Sequence, residues 1–239
     1  AVPGLMMSQP AQPPVTATSP HIVAAVADTR RPDTDRARDA LRHPAAIMAF
    51  TGVREGWRIA DVGPGAGYYT RLFSVAVGES GRVYAVDRPN SAPDRPRAIL
   101  AVAPQYTNIT VLQNGYQGWN AGEPLDAVFV SQIYHDWFYP QLSLDVPALN
   151  RQIFDALKPG GVYVIIDHAA VAGHATDPNP QTDLHRIDPA QIIREVTAAG
   201  FVLDGESQVL RNPEDNRSLR VFEGDIRGHT DQFVLRFRK

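Results

Sequence analysis

Short apolar runs alternate with longer stretches of helical periodicity along most of the chain. Runs that favour strands occupy residues 58–62, 82–87, 109–112, 125–130, 162–167, 201–203 and 231–237. Stretches that favour helices occupy residues 33–42, 44–51, 68–77, 93–103, 145–157 and 188–199. Nearly continuous apolar strands are typical of a parallel sheet with helices on both faces, and the strict alternation in 231–237 favours an antiparallel last strand. The pattern therefore predicts a three-layer α/β fold with a seven-stranded, mostly parallel sheet.

The first residues of the chain differ from the rest in composition. Residues 1–20 contain five prolines and no charged side chain, and such a segment buries too little surface to order itself. We interpret residues 1–29 as a disordered tail or linker, and we predict that residues 1–20 are dispensable for folding. Residues 30–239 then form a single domain, with helices at 33–51 ahead of the first strand. The loop at 169–184 has the length of a functional loop or lid.

A glycine-rich turn follows the first predicted strand. Asp61 lies near the end of that strand, and Gly63, Gly65 and Gly67 precede a helix predicted to begin at Tyr68. Glycines let the backbone approach a ligand closely, and the amides at the start of the helix point into the same space. The pattern indicates a nucleotide-binding turn in which an acid can accept a cationic or hydroxyl group.

Two common nucleotide sites are disfavoured by the spacing of this turn. The third glycine of a G-x-G-x-x-G motif would fall on Tyr68 or Thr70, which argues against a pyrophosphate-bearing dinucleotide. The chain also contains no G-x-x-x-x-G-K-[ST] sequence, which excludes a P-loop.

The motif Asp61-x-Gly63-x-Gly65-x-Gly67 resembles the first motif of the class I S-adenosylmethionine-dependent methyltransferases. Two further landmarks follow in the family's order, since Asp87 closes the second strand and Lys-Pro-Gly-Gly at 158–161 precedes the fifth. Sequence details at 67–70, 134–136, 184–188 and 227–233 resemble a group of bacterial predicted methyltransferases of unknown substrate. The resemblance implies a Rossmann-like fold, S-adenosylmethionine as methyl donor with S-adenosylhomocysteine as product, and a small-molecule acceptor.

The resemblance also implies which residues hold the donor. Asp87 would meet the ribose hydroxyls, and the loop at 113–114 would hold the adenine amino group. A ring face of Tyr68 or Tyr69 would lie against the sulfonium. The candidate cofactor-binding residues are Asp61, Gly63, Gly65, Gly67, Tyr68, Tyr69, Asp87, Arg88, Gln113, Asn114 and Ser131.

Three histidines are the candidate catalytic bases. His135 follows the fourth strand, His168 follows the fifth, and His185 ends the long loop, so the fold would bring them to the acceptor side of the cleft. An imidazole accepts a proton near neutral pH, and His168 is the first choice, with Arg186 near it to hold an anionic substrate group. Two alternatives stay open: Asp167 and His168 tie the loop down, or a divalent ion binds among these histidines and neighbouring aspartates. The spacing matches no metal motif, so we predict a metal-free site.

Composition narrows the set of partners. The net charge is −3 and the arginines at 30–42 are interleaved with aspartates. The sequence therefore does not indicate a basic surface of the kind that binds nucleic acid. No apolar run reaches the roughly 20 residues that span a bilayer, and the absence of cysteine excludes thiolate chemistry. The chain starts at Ala1, so we expect a periplasmic or exported protein if a leader has been removed and a cytoplasmic one otherwise. The oligomeric state is left open, with a homodimer as one option.

Two other functions share parts of this pattern. A protein that binds S-adenosylmethionine or a nucleoside without catalysis would keep the same cleft. A nicotinamide-dependent oxidoreductase would share the sheet and the ribose contact of Asp87, although the interrupted G-x-G-x-x-G counts against it. The main prediction is a methyltransferase that acts on a small molecule.

Overall fold

The computed structural model describes residues 11–239; the predicted disorder of residues 1–10 lies outside the described residues. The helices are α1 (Pro20–Ala27), α2 (Asp33–Arg36), α3 (Asp39–Arg42), α4 (Pro44–Thr51), α5 (Tyr68–Val77), α6 (Ile99–Val102), α7 (Val146–Ala156) and α8 (Pro189–Ala198). The strands are β1 (Arg58–Val62), β2 (Arg82–Val86), β3 (Ile109–Leu112), β4 (Leu125–Ser131), β5 (Leu157–His168), β6 (Val202–Ser207) and β7 (Gln232–Arg238). Short 3₁₀ turns occupy Ala103–Gln105, Tyr134–Phe138, Pro140–Leu142 and Gly224–Ile226.

The seven strands form one sheet in the order β3-β2-β1-β4-β5-β7-β6. Strands β1 to β5 pair in parallel, and β7 runs antiparallel to both β5 and β6. The predicted fold class is therefore confirmed, including the antiparallel last strand. The strand order reverses between β1 and β4, and the crevice beyond the carboxyl ends of these two strands is where open α/β sheets bind ligands.

Apolar side chains on both faces of the sheet form the core. On one face, Ile59 of β1 and Phe129 of β4 pack with Phe73 of α5. On the other face, Val128 of β4 packs with Leu149 of α7, in a cluster that also contains residues of α8. None of the helices in residues 11–239 combines the length and apolarity that crossing a membrane requires. The burial of both faces explains why the central strands read as continuous apolar runs.

The segment before residue 30 differs from the predicted tail. Residues 20–27 form α1, in which Pro20 occupies the first turn, and Ile22 and Ala25 are fully buried. His21 Nε2 lies 2.7 Å from the carbonyl oxygen of Val53. The interpretation of residues 1–29 as an unstructured tail is therefore wrong for residues 20–27, because α1 buries apolar surface against the domain.

Two predicted helices are shorter in the structure. Residues 33–42 form the two single turns α2 and α3, whereas α4 has the predicted bounds, with Pro44 in its first turn and Gly52 at its end. Residues 93–98 are not helical, and only α6 and a 3₁₀ turn remain of the predicted 93–103 helix. Pro93 and Pro96 lack an amide donor and disfavour helical geometry in the preceding residue.

Candidate functional site

The glycine turn connects β1 to α5 as predicted. Gly63, Gly65 and Gly67 have φ of 77°, 56° and 88°, a left-handed conformation that side chains disfavour. A Cβ atom on Gly63 would also lie 2.2 Å from Cδ1 of Ile133. The turn therefore requires glycine for its backbone conformation and, at Gly63, for space.

A cavity of about 220 Å³ lies in front of this turn, and we call it the donor cavity. Six of the predicted cofactor-binding residues line it: Asp61, Gly63, Gly65, Tyr68, Tyr69 and Ser131. The lining also contains three polar residues that the sequence did not indicate, Arg38, Arg42 and Gln132. A ring face of Tyr68 is predicted to lie against the sulfonium. The guanidinium of Arg42 covers a face of this ring, at 4.5 Å from its centroid.

Asp61 is buried at the base of the donor cavity. Thr70 Oγ1 donates a hydrogen bond of 2.7 Å to its Oδ2. Burial raises the pKa of Asp61 to about 7, although the Thr70 bond lowers it. A cationic group in the cavity would favour the ionised carboxylate, which suits the ammonium of a bound amino-acid moiety.

Asp87 follows β2 and is buried, as expected of a ribose-binding carboxylate. Its two oxygens, however, accept from the fork of Arg97, with Nε at 2.9 Å and Nη2 at 3.0 Å. The amide of Arg88 donates to Oδ1 at 2.8 Å. A ribose diol would compete with Arg97 for these oxygens, because Oδ1 already accepts from both Arg97 and Arg88.

A second cavity of about 360 Å³ is lined by Arg88, the residue that follows Asp87, and by Asn114, Tyr116 and Leu142 among others. Its position agrees with the adenine end of a nucleoside, because an aromatic ring and an amide face the same space. The predicted Gln113 is not among the lining residues; its Nε2 donates to Asn90 Oδ1 at 2.6 Å.

Backbone hydrogen bonds connect the walls of both cavities to the end of β2 and to Asp87. The Gly63 amide bonds to the carbonyl of Val86, and the Gly115 amide bonds to the carbonyl of Asp87. An extended ligand with an amino-acid end, a ribose and a base would therefore meet Asp61, Asp87 and Tyr116 in that order. The residues present fit S-adenosylmethionine once Arg97 has released Asp87.

His135 contacts two carboxylates, one at each ring nitrogen. Its Nδ1 lies 2.7 Å from Asp167 Oδ1 and its Nε2 lies 3.0 Å from Asp136 Oδ1. Burial alone would lower the pKa of His135, but the charges of Asp167 and Asp136 outweigh it and raise the pKa to about 10. A histidine protonated at neutral pH cannot accept a further proton.

His185 lies beside this cluster in a left-handed conformation with φ of 57°. Its ring centroid is 5.5 Å from that of His135, and its Nδ1 is 3.0 Å from the hydroxyl of Tyr139. His135, Asp136 and His185 offer ligand atoms within 4.8 Å of one another, a spacing that a metal ion could use. Charge pairing around a protonated His135 already accounts for that spacing.

His168 is the first-choice base, and it lies 5.9 Å from His135 between ring centroids. The three rings are thus close together, as the sequence predicts. Burial lowers the pKa of His168 to about 4, and its Nδ1 is 2.6 Å from Thr230 Oγ1. The imidazole is neutral at pH 7 but a weak base, which leaves little support for a catalytic proton transfer.

Arg186 does not hold a substrate group as expected. Its guanidinium is fully buried and pairs with Asp215, with Nη1 to Oδ2 at 2.7 Å, and also donates to the carbonyl of Ala169 at 3.1 Å. The side chain connects the end of β5 to the loop at 212–219. Within residues 11–239, all three of its guanidinium nitrogens donate to protein oxygens, so none is available to a substrate. Arg186 is a structural residue.

The profile of the family described as Protein-L-isoaspartate(D-aspartate) O-methyltransferase matches residues 34–168. That span includes the glycine turn, Asp87 and the end of β5, and it is more than half of the chain. The chain belongs to this O-methyltransferase family. Its cofactor is S-adenosylmethionine, as the resemblance of its motifs implies.

Curated relatives are protein-L-isoaspartate O-methyltransferases. The one from Methanosarcina mazei is 30% identical over 125 residues, which are 52% of this chain and 46% of that protein. The first enzyme of this name from Arabidopsis thaliana is 32% identical over 119 residues, which are 47% of this chain and 46% of that protein. The chain thus spans about half the length of the curated relatives it matches.

Solved structures agree with the fold. A SAM-dependent methyltransferase from Aquifex aeolicus has a TM-score of 0.59 at 20% identity, covering 87% of this chain and 98% of its own. Fibrillarin from Aeropyrum pernix with bound S-adenosylmethionine has a TM-score of 0.51 at 17% identity, covering 77% of this chain and 67% of its own. At these identities the likeness supports the fold alone.

The family overturns two expectations from the sequence. The predicted small-molecule acceptor and partner are wrong, because the matching family and the curated relatives are named for a protein acceptor. The expected grouping with bacterial methyltransferases of unknown substrate is corrected as well, since relatives of this O-methyltransferase family include proteins of archaea and of a plant. A nicotinamide oxidoreductase is set aside by the same match.

Proposed function

We propose that this protein transfers the methyl group of S-adenosylmethionine to the free carboxylate of L-isoaspartyl residues in proteins or peptides. The observation that carries the proposal is the family match over residues 34–168, which spans the donor cavity and both strands that flank it. The names of the curated relatives, which are protein-L-isoaspartate O-methyltransferases, support the same acceptor.

A carboxylate acceptor agrees with the state of the histidines. One carboxylate oxygen forms a bond to the methyl carbon as the carbon–sulfur bond breaks, the electron pair stays on sulfur, and the products are a methyl ester and S-adenosylhomocysteine. An isoaspartyl carboxyl is ionised at pH 7, since ordinary carboxyl pKa values lie near 4. The reaction needs no general base, and neither His135 nor His168 is suited to act as one.

The protein's contribution is then positioning. In-line transfer gains effective molarities of about 10⁵ M or more when the reacting groups are held in alignment. The glycine turn and Asp61 would hold the amino-acid end of the donor, and Asp87 would hold the ribose. Loss of one such contact is expected to change binding more than it changes the chemistry.

A test uses a protein whose asparagines have been aged to isoaspartate. The purified chain is incubated with methyl-labelled S-adenosylmethionine and either the aged protein or a fresh sample. The proposal predicts label in the aged sample only, and release of the label as methanol at mildly alkaline pH, because methyl esters are base-labile. Equal labelling of the two samples, or base-stable label, contradicts it.

A further inference from the structure

A third cavity adjoins the donor cavity and is separate from the region around Asp87. It has a volume of about 420 Å³, and the two cavities share Arg38, Arg42 and Gln132 in their walls. A molecule in this third cavity would meet the donor across those side chains. We call it the acceptor cavity.

Arg42 is a partly buried cation, and no carboxylate within residues 11–239 balances its charge by direct contact. Within residues 11–239 its guanidinium forms no ion pair, and its one hydrogen bond runs from Nη2 to Gln132 Oε1 at 3.1 Å. The guanidinium also lies 4.5 Å from the ring centroid of Tyr68 and 5.8 Å from that of Tyr69. Burial lowers the pKa of Arg42. Burying an unpaired charge is costly, and an anionic ligand in either cavity would offset that cost.

The neighbouring residues hold Arg42 in this position. Gln132 has a left-handed backbone with φ of 61°, and its amide bonds to the carbonyl of Ile166 at 2.7 Å. Its side-chain Nε2 donates to Gln232 Oε1 at 2.9 Å. These contacts direct Oε1 toward Arg42. Arg38, by contrast, already pairs with Asp35 at 2.8 Å.

Other lining residues of the acceptor cavity supply a second free cation and apolar surface. Arg227 lines the acceptor cavity and is exposed, and no carboxylate pairs with it in the described part of the chain. Leu41 and Phe222 also line the cavity, with exposed fractions of 45% and 55%. His168 completes the wall as a neutral imidazole. Two cations beside exposed apolar side chains suit a carboxylate that is attached to an uncharged chain.

We propose that Arg42 and Arg227 bind the acceptor carboxylate in this cavity, with Leu41 and Phe222 contacting the peptide on either side of it. The inference rests on the proposed function, because it assigns that function's acceptor site. Arg42 lies in the walls of both cavities and would place the carboxylate next to the donor methyl group. Arg227 would hold the carboxylate from the solvent side.

Direct anion binding is measured with a small probe. Nitrogen-15 NMR of the arginine Nε–Hε groups is recorded with S-adenosylhomocysteine present, during titration with N-acetylglycine or its uncharged amide. The carboxylate should shift the resonances that are lost in Arg42→Gln and Arg227→Gln, and the amide should not. Equal responses to the two probes, or shifts confined to other arginines, would overturn the inference.

Kinetics with an isoaspartyl peptide measure the same contacts during turnover. Arg42→Gln should raise KM roughly tenfold to a hundredfold, because it removes hydrogen bonds to a charged group. Arg227→Gln should raise KM about fivefold, because solvent screens the exposed Arg227. In Arg227→Gln, which is exposed and outside the donor cavity, the S-adenosylhomocysteine Kd should change less than about threefold. The matched control is Arg151→Gln on the exposed face of α7, which should leave KM unchanged.

The two experiments separate failure of the inference from failure of the proposed function. If the wild type methylates no isoaspartyl peptide but the carboxylate still shifts Arg42 and Arg227, the proposed acceptor is wrong and the anion site stands. If the peptide is methylated while Arg42→Gln and Arg227→Gln both behave like Arg151→Gln, the function stands and the inference falls.

Discussion

Replacing Arg97 with alanine is expected to tighten the binding of S-adenosylhomocysteine. Arg97 donates from Nε and Nη2 to both oxygens of Asp87, at 2.9 and 3.0 Å. A ribose diol needs the same oxygens, so binding to the wild type includes the cost of separating this pair. The variant presents Asp87 without its competitor.

The size of the effect follows from the exposure of the pair. Hydrogen bonds to charged groups contribute roughly 1.5–3 kcal/mol when buried. The Arg97 side chain is 26% exposed while Asp87 is 1% exposed, and solvent screening on the arginine side reduces the net value to about 1 kcal/mol. The dissociation constant should therefore fall about fivefold, and the free energy of unfolding of the ligand-free protein should fall by about 1 kcal/mol.

Calorimetric titration with S-adenosylhomocysteine measures this change, and Arg95→Ala is the matched control because Arg95 is an exposed neighbour. Asp87→Ala should weaken binding by about 1–3 kcal/mol, up to roughly a hundredfold. In the Asp87→Ala background the Arg97 substitution should have no further effect. Weaker binding by Arg97→Ala alone would contradict competition between Arg97 and the ribose, and would show that Arg97 orients Asp87 for the ribose. An unchanged Kd in Asp87→Ala would show that the ribose does not use this carboxylate.

Three further predictions concern buried charges. The pKa of Asp61 is about 7 in the free protein, so binding of an ammonium-bearing ligand near or below pH 7 should release a proton; the calorimetric enthalpy should then depend on buffer ionisation, and this dependence should vanish in Asp61→Asn. Asp215→Ala leaves Arg186 buried without its partner, and the free energy of unfolding measured in urea should fall by about 3–5 kcal/mol; a loss below about 1 kcal/mol would contradict the structural role. The pKa of His135 is raised from 6.5 to about 10, so its stabilisation is complete below about pH 6.5 and is lost as the pH rises through about 10; urea denaturation between pH 7 and 10 should show a smaller decline in His135→Gln, and an equal decline would refute the assignment.

Several residues that would bind the methyl donor could be predicted from sequence, because the patterns that indicate them lie within a few neighbouring residues. Gly63 indicates a backbone conformation that other residues disfavour. Asp87 follows an apolar run and so indicates the carboxyl end of a strand. These features depend on a few neighbouring residues, so the chain order alone places them. The fold class follows from the same runs, since most apolar strands are separated by predicted helices.

The rest of the site depends on contacts between distant residues. Arg42 meets Gln132 across 90 positions, and nothing in the local sequence of either residue indicates the other. Arg97 lies in a stretch that reads as a helix, and the prolines that prevent the helix leave its side chain free to reach Asp87. The weak basicity of His168 arises from its burial, and the positions of residues along the sequence do not reveal that burial.

The acceptor could not be predicted for a related reason. The motif from Asp61 to Gly67 is shared by methyltransferases with very different acceptors, because it contacts only the donor. The residues that would select a carboxylate, Arg42 and Arg227, lie in a short helix and a polar loop. Their common cavity exists only after folding.

Three synthetic peptides can show whether an isoaspartyl carboxylate accepts the methyl group. The peptides are identical except for one residue, which is L-isoaspartate, L-aspartate or L-isoasparagine, and kcat/KM is measured for each with labelled S-adenosylmethionine. If the isoaspartyl carboxylate is the acceptor, base-labile methyl ester forms on the isoaspartyl peptide, with kcat/KM at least about a hundredfold above that of the other two. Comparable rates on the isoaspartyl and isoasparaginyl peptides, or no transfer to any peptide while S-adenosylhomocysteine binds, would contradict it.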